Sequence, residues 1–268
     1  MKQKVLFVAQ EITPYLPETQ MSKIGRYLPQ GIQEAGKEIR TFMPRFGSIN
    51  ERRNQLHEVI RLSGMNLIIE DYDHPLIIKV ASIQAARMQV YFIDNEDFFH
   101  RKAVVRDKNG VEFEDNDKRA VFYARGVIET VKKLCWSPDL VHVHGWFSAF
   151  VPLYLKKAYK DDPLFSDIKI IYSLYDDNFK NNLNPNVVNT ALYDGVEPKD
   201  LESLKNADYL SLNKLAIDHS DAIILGSETI NPELLDYAKA SKKPILEYQD
   251  EENYVQNYSE FYDKIIET

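Results

Sequence analysis

The chain has 268 residues, a net charge of −8 and 44% apolar residues, which suits one generous α/β domain with insertions and is short for two large ones. The acidic balance leaves no basic stripe for nucleic acid, and no run approaches the roughly 18 apolar residues of a membrane span. A single cysteine, Cys135, excludes an internal disulfide and a cysteine-based zinc site, and the polar N-terminus lacks a signal peptide's apolar region, so a cytoplasmic protein is expected.

In chain order, "KVLFVA" (residues 4–9) is a nearly continuous apolar run, as in a strand buried on both faces. "QEITPYLPETQ" carries two prolines and reads as a loop. Met21, Ile24, Leu28, Ile32 and Ala35 then recur at helical spacing, closed by Gly36. "EIRTFMP" follows as a second strand, giving a βαβ opening. Residues 50–95 differ: "LHEVIRL", "MNLIIEDY", "PLIIKVASI" and "RMQVYFID" are short, β-rich and separated by turn signals, so antiparallel hairpins inserted in the frame are expected.

The βα rhythm then resumes. Ala120, Ala124, Val127, Ile128, Val131 and Cys135 are expected to line one helix face. "DLVHVH", "IKIIYSL" and "DAIILG" read as strands. The segment from Trp146 to about Tyr159, "ADYLSLNKLAIDH" and "NPELLDYAKA" read as helices, the last with Pro232 near its start. This alternation predicts an α/β fold with a doubly wound, mostly parallel, Rossmann-like sheet. The domain is expected over 1–240. In the tail, 241–268, Tyr254, Tyr258, Phe261, Ile265 and in part Tyr262 share a face, as in a terminal helix packing back on the domain.

Ligands of such a sheet gather beyond the carboxyl ends of its strands. Three loops qualify: Glu11 to Thr19, His144 to Phe147, and Leu174 to Phe179. The first lacks both GxGxxG and GxxxxGK[ST], and "GSETI" lacks the GxSxG form of a nucleophile elbow. His142 and His144 share a strand face, but a metal site needs a third ligand nearby, so no metal is expected. The sequence points to no bound cofactor.

"KVLFVAQEITPY", "LPQGIQEAGKEIRTFMPRFG", "VYFIDNEDFF", "DNDKRAVFYARGVIETV" and "PDLVHVHGWFSAFVPLYLKK" together resemble the N-terminal domain of bacterial glycogen and starch synthases. The resemblance runs from Lys4 to about Ala238, with five blocks in order. It implies a retaining glycosyltransferase of the GT-B fold that transfers glucose from ADP-glucose to α-1,4-glucan. It places the active-site histidine, which touches the transferred glucose, at His144. The family's "HxHDW" here reads "HVHGW", so Gly145 replaces the aspartate. In the family's N-terminal loop, "SE(V/M)xPxxKTGGLxDVxxxLP", the lysine falls on Pro17, the glycines on Thr19 and Gln20, and the aspartate on Lys23. Proline supplies neither charge nor N–H, and the side chains of Thr19 and Gln20 obstruct the close approach of phosphate that glycine allows.

By the same resemblance, Asp115 and Asn116 match a site region, although a cap for the helix that starts near Asp117 is the preferred reading of the pair. Glu11, Tyr15, Trp146, Asp177 and Asn178 are further substrate-binding candidates. Tyr15, Trp146 and Phe147 would stack on sugar if exposed and belong to the core if buried. The family's second domain needs on the order of 200 residues, against about 30 after Ala238. The expectation is therefore a glycogen/starch synthase-like domain, inactive alone, with α-glucan or ADP-glucose as ligand and another glycosyltransferase domain as partner. The alternative is a non-catalytic glucan-binding or regulatory partner of such an enzyme.

Overall fold

The computed structural model describes residues 2–268. Its first half contains β1 (Lys4–Ala9), α1 (Gln20–Glu34), β2 (Glu38–Pro44), β3 (His57–Glu58), β4 (Met65–Ile69), β5 (Tyr72–Ile83), β6 (Met88–Asp94), α2 (Glu96–Phe99) and α3 (Asn116–Lys133). The second half contains β7 (Leu140–His144), α4 (Phe150–Lys157), β8 (Lys169–Leu174), α5 (Val187–Ala191), α6 (Tyr209–Asp218), β9 (Ala222–Leu225), α7 (Pro232–Ala240), β10 (Ile245–Leu246) and α8 (Tyr254–Ile266).

The sheet runs β10-β9-β8-β7-β1-β2-β6-β5-β3, with β4 paired to β5 off that path. From β10 to β6 every neighbouring pair is parallel. This is the doubly wound order, with its switch point between β1 and β7. The continuous apolar runs follow from burial on both faces. Val5 and Phe7 join one core cluster while Leu6 and Val8 join the other, as the two-residue side-chain period requires.

Several local expectations are corrected. Within the 50–95 segment β5 is antiparallel to β3, β4 and β6, as expected, but β6 also pairs in parallel with β2 and so joins the parallel part of the sheet. "LHEVIRL" keeps only the two residues of β3 in a strand, and Ile60 is among the exposed large apolar side chains. Cys135 does not line α3; it lies beyond the helix end at φ 49° and is exposed. Asp115 occupies the cap position of α3 without a side-chain capping bond. The helix expected from Trp146 begins with a 3-10 turn, Trp146–Ser148, before α4.

The C-terminal helix packs as its apolar spacing predicts. Tyr258, Phe261, Tyr262 and Ile265 are buried in the cluster that contains Phe7, Leu28 and Ile32. Gly31 permits the approach, because a Cβ there would collide with the side chain of Val255. Each apolar side chain buried in this way stabilises the fold by about 1.5–3 kcal/mol before entropic costs.

Candidate functional site

The C-terminal ends of β1, β7, β8 and β9 meet around a cavity of about 620 Å³. Glu11 enters it from the loop after β1, Trp146 from that after β7, Asp177 and Asn178 from that after β8, and Ser227 from that after β9. The topology itself makes this convergence, since crossovers run in opposite directions from the switch point and leave a crevice there.

The loop after β1 is folded around the start of α1. Thr19 is the N-cap: its hydroxyl accepts from the Ser22 N–H at 3.0 Å, and the Ser22 hydroxyl accepts from the Thr19 N–H at 2.8 Å. This reciprocal box satisfies the first free donors of the helix. The Thr19 hydroxyl in turn donates to a Glu11 carboxylate oxygen at 2.7 Å. The positive end of the helix is thus capped from within and has an acid beside it.

After β7 the chain turns at Gly145, with φ 80° and ψ 159°, a conformation open essentially to glycine alone. The loop is tied across the switch point by the Phe147 N–H, which donates to Gln10 Oε1 at 3.0 Å. The Trp146 N–H donates to Asp177 Oδ2 at 3.2 Å.

Asp177 is the electrostatic centre of the cavity. The Tyr209 hydroxyl lies 2.8 Å from Asp177 Oδ1 and 2.7 Å from the carbonyl oxygen of Tyr175. One hydroxyl hydrogen faces two acceptors, and a protonated Asp177 resolves the conflict by donating to the tyrosine oxygen. Desolvation by burial raises the Asp177 pKa to about 7, opposed by the Tyr209 and Trp146 hydrogen bonds and assisted by the negative charge of Glu11.

Glu11, Asp176, Asp177 and Glu228 line the cavity, against the single cation Arg106. Arg106 is already committed to Glu112 at 3.0 Å and to the Asn178 carbonyl at 3.0 Å. The cavity therefore has acceptors for hydroxyl groups and little uncommitted positive charge for phosphate.

His144 is fully buried and forms no part of the cavity wall. Tyr175, which does line the cavity, stands against it, with its hydroxyl 2.9 Å from His144 Nδ1. Nε2 of His144 has no partner, and desolvation lowers the ring's pKa to about 3. Beside it, His142 has both nitrogens engaged, Nδ1 with the Tyr262 hydroxyl at 2.5 Å and Nε2 with Ser173 Oγ at 2.6 Å. Among the described residues no three His, Cys, Asp or Glu side chains cluster as metal ligands.

The structure gathers Glu11, Asp177 and Asn178 at one cavity and takes other candidates away from it. Tyr15 is buried, packs edge-on against Phe92 at 4.9 Å, and lies outside the cavity. Trp146 touches the wall but is only 2% exposed, its ring edge-on to Phe147 and Phe179. Phe147 is fully buried, so none of these rings offers a sugar-stacking face. Asp115 is held by Arg101 through both carboxylate oxygens, at 2.9 and 2.6 Å. Asn116 is buried, donating to the Val105 carbonyl and accepting from Arg119. Neither lines the cavity.

The site also includes residues not singled out from sequence, among them Gln10, Arg106, Tyr175, Asp176, Ser227, Glu228 and, through its bond to Asp177, Tyr209. Tyr175 had a usable signal, since it sits in a loop at a strand's carboxyl end. Arg106 and Tyr209 had none, because they reach the site from segments distant in the chain.

A family model described as the starch synthase catalytic domain matches residues 4–246. The chain belongs to this family. It is 29% identical over 235 residues to the glycogen synthase of Chlorobium limicola, covering 87% of this chain and 47% of the relative. With the Chlorobium luteolum glycogen synthase the identity is 32% over 235 residues, with the same shares. The fold matches the catalytic domain of Arabidopsis thaliana starch synthase IV, solved bound to ADP and acarbose, with a TM-score of 0.73. That match is 15% identical and covers 93% of this chain and 52% of the other. This starch synthase-family chain thus spans about half the length of the curated relatives it matches. No helix among the described residues is long and apolar enough to cross a membrane.

Proposed function

We propose that this glycogen/starch synthase-like domain receives an α-glucan at the switch-point cavity and does not by itself hold a nucleotide sugar for transfer. The observation that carries the proposal is the Glu11 carboxylate on the Thr19 cap at 2.7 Å. Where an anion would use the helix terminus, this chain presents its own hydroxyl and its own acid. Of the ADP and acarbose bound to the Arabidopsis enzyme, ADP is the ligand that this cavity's charge opposes. A neutral glucan brings hydroxyl donors to Glu11, Asp176 and Asn178 and pays no electrostatic penalty. The binding unit is residues 1–240, with 241–268 as a tail that packs back on it. Donor contacts come from another glycosyltransferase domain, and His144 keeps the inherited position next to the site.

Affinity electrophoresis through glycogen, with and without ADP-glucose, tests this reading alongside an assay with radiolabelled ADP-glucose. The expected result is retardation by glycogen that ADP-glucose does not alter, with no incorporation above a His144→Ala control. Incorporation above that control, or migration unchanged by glycogen, overturns it.

A further inference from the structure

A second cavity, of about 730 Å³, lies at the other end of the sheet, where β2 and β6 begin and β5 ends. Its charge is opposite to that of the protein as a whole. Lys2, Lys37, Arg40 and Arg87 line it against one carboxylate, Glu38. That is a formal +3 within a chain of −8, so the remaining residues together carry −11. Among the described residues, three of the four cations, Lys2, Arg40 and Arg87, form no ion pair; the fourth, Lys37, is paired with Asp263 at 2.6 Å.

Two of these cations are held in place at a cost. The Arg40 guanidinium lies 5.1 Å from the Trp136 ring and 5.9 Å from the Tyr91 ring, and it donates to the Tyr91 hydroxyl at 2.9 Å. Its Nε is sealed from solvent without a partner, which is unfavourable unless something compensates. Arg87 adopts φ 51°, a left-handed conformation that glycine or asparagine fills more cheaply. Glu38 is partly occupied, accepting from Trp136 Nε1 at 2.5 Å.

We propose that this cavity is a binding site for a small phosphorylated, hydroxyl-bearing molecule of the sugar-phosphate class. The planar, ring-braced Arg40 and the free Arg87 supply charge-assisted donors for phosphate. The amide side chains of Gln33, Gln84 and Gln89, in the same wall, supply donors and acceptors for hydroxyl groups. The volume is in the range of small-molecule sites, roughly 300–1,000 Å³. The site is separate from the acidic cavity and shares no residue with it, so it stands whether or not the glucan reading does.

Isothermal titration of the full chain with glucose 1-phosphate, inorganic phosphate and glucose tests the assignment. Glucose 1-phosphate is expected to bind with a dissociation constant below about 1 mM, more tightly than either of the others. Arg40→Gln and Arg87→Gly are each expected to weaken it about tenfold or more. Arg87→Gly separates binding from folding, because glycine relieves the backbone and leaves the melting temperature unchanged or higher. Equal binding of glucose, equal binding of inorganic phosphate, or unaltered affinity in well-folded Arg87→Gly overturns the proposal.

Discussion

At the residue scale, Gly145 decides the character of the corner after β7. Its φ of 80° and ψ of 159° exclude side chains in general. A Cβ there would also meet Met21 Cε at 2.8 Å and Gln10 Oε1 at 2.9 Å. The aspartate of the resembling enzymes therefore cannot be restored without moving the backbone or the Gln10 tie to Phe147. Gly145→Ala is expected to destabilise the protein by about 1–3 kcal/mol in urea unfolding. A loss below the error of that measurement would mean that the turn relaxes freely and that the strain argument fails. The sequence identified the substitution at 145, but the torsion angles that make it hard to reverse exist only in three dimensions.

At the element scale, α8 is bound to the sheet by more than its apolar face. The Tyr262 hydroxyl meets His142 Nδ1 at 2.5 Å, and His142 Nε2 meets Ser173 Oγ at 2.6 Å, so a hydrogen-bonded line runs from α8 through β7 to β8. All three residues are buried. Tyr262→Phe keeps the ring and leaves a buried imidazole nitrogen without its partner. Thermal or urea denaturation is expected to show a loss of about 1–3 kcal/mol, and wild-type stability in the variant would rule out a role for the hydroxyl. The helix itself was readable from the spacing of Tyr258, Phe261 and Ile265, because a 3.6-residue period survives in one dimension. Its hydroxyl contact was not, since His142 is 120 residues away in sequence.

At the scale of the whole molecule, stability should respond to pH in both directions. Burial keeps His142 and His144 neutral, His142 with a further push from His144, and holds both pKa values below the ordinary 6.5. Folding therefore favours the neutral rings; this contribution is present above pH 6.5 and is lost as pH falls towards their folded values. Asp177 acts the other way. Its pKa rises from 3.8 to about 7, so its contribution is fully present below 3.8 and is lost as pH rises through 7. Asp177→Asn removes that loss while keeping an oxygen acceptor for the Trp146 N–H. Relative to wild type, the variant should gain about 1 kcal/mol between pH 6 and pH 8. Parallel pH profiles for the two proteins would show that Asp177 is ionised throughout and that Tyr209 satisfies both acceptors.

The sequence by itself determined the frame: the strand and helix order, the doubly wound sheet and the family. Those properties reside in periodicity and in ordered blocks, which a chain carries wherever it folds. It also shows that the loop after β1 has Pro17, Thr19 and Gln20 where the family resemblance implies a lysine and two glycines. Only the tertiary structure decided which polar residues share a space. Glu11, Asp177 and Asn178 meet there, whereas Tyr15, Asp115 and Asn116 are drawn into packing and ion pairs. The physical reason is that side-chain burial and partnership depend on distant segments: Arg101 claims Asp115, Phe92 covers Tyr15, and Tyr175 stands between His144 and the cavity. None of those neighbours can be read from local sequence, because loop geometry at the ends of parallel strands is set by crossovers that bring remote residues together.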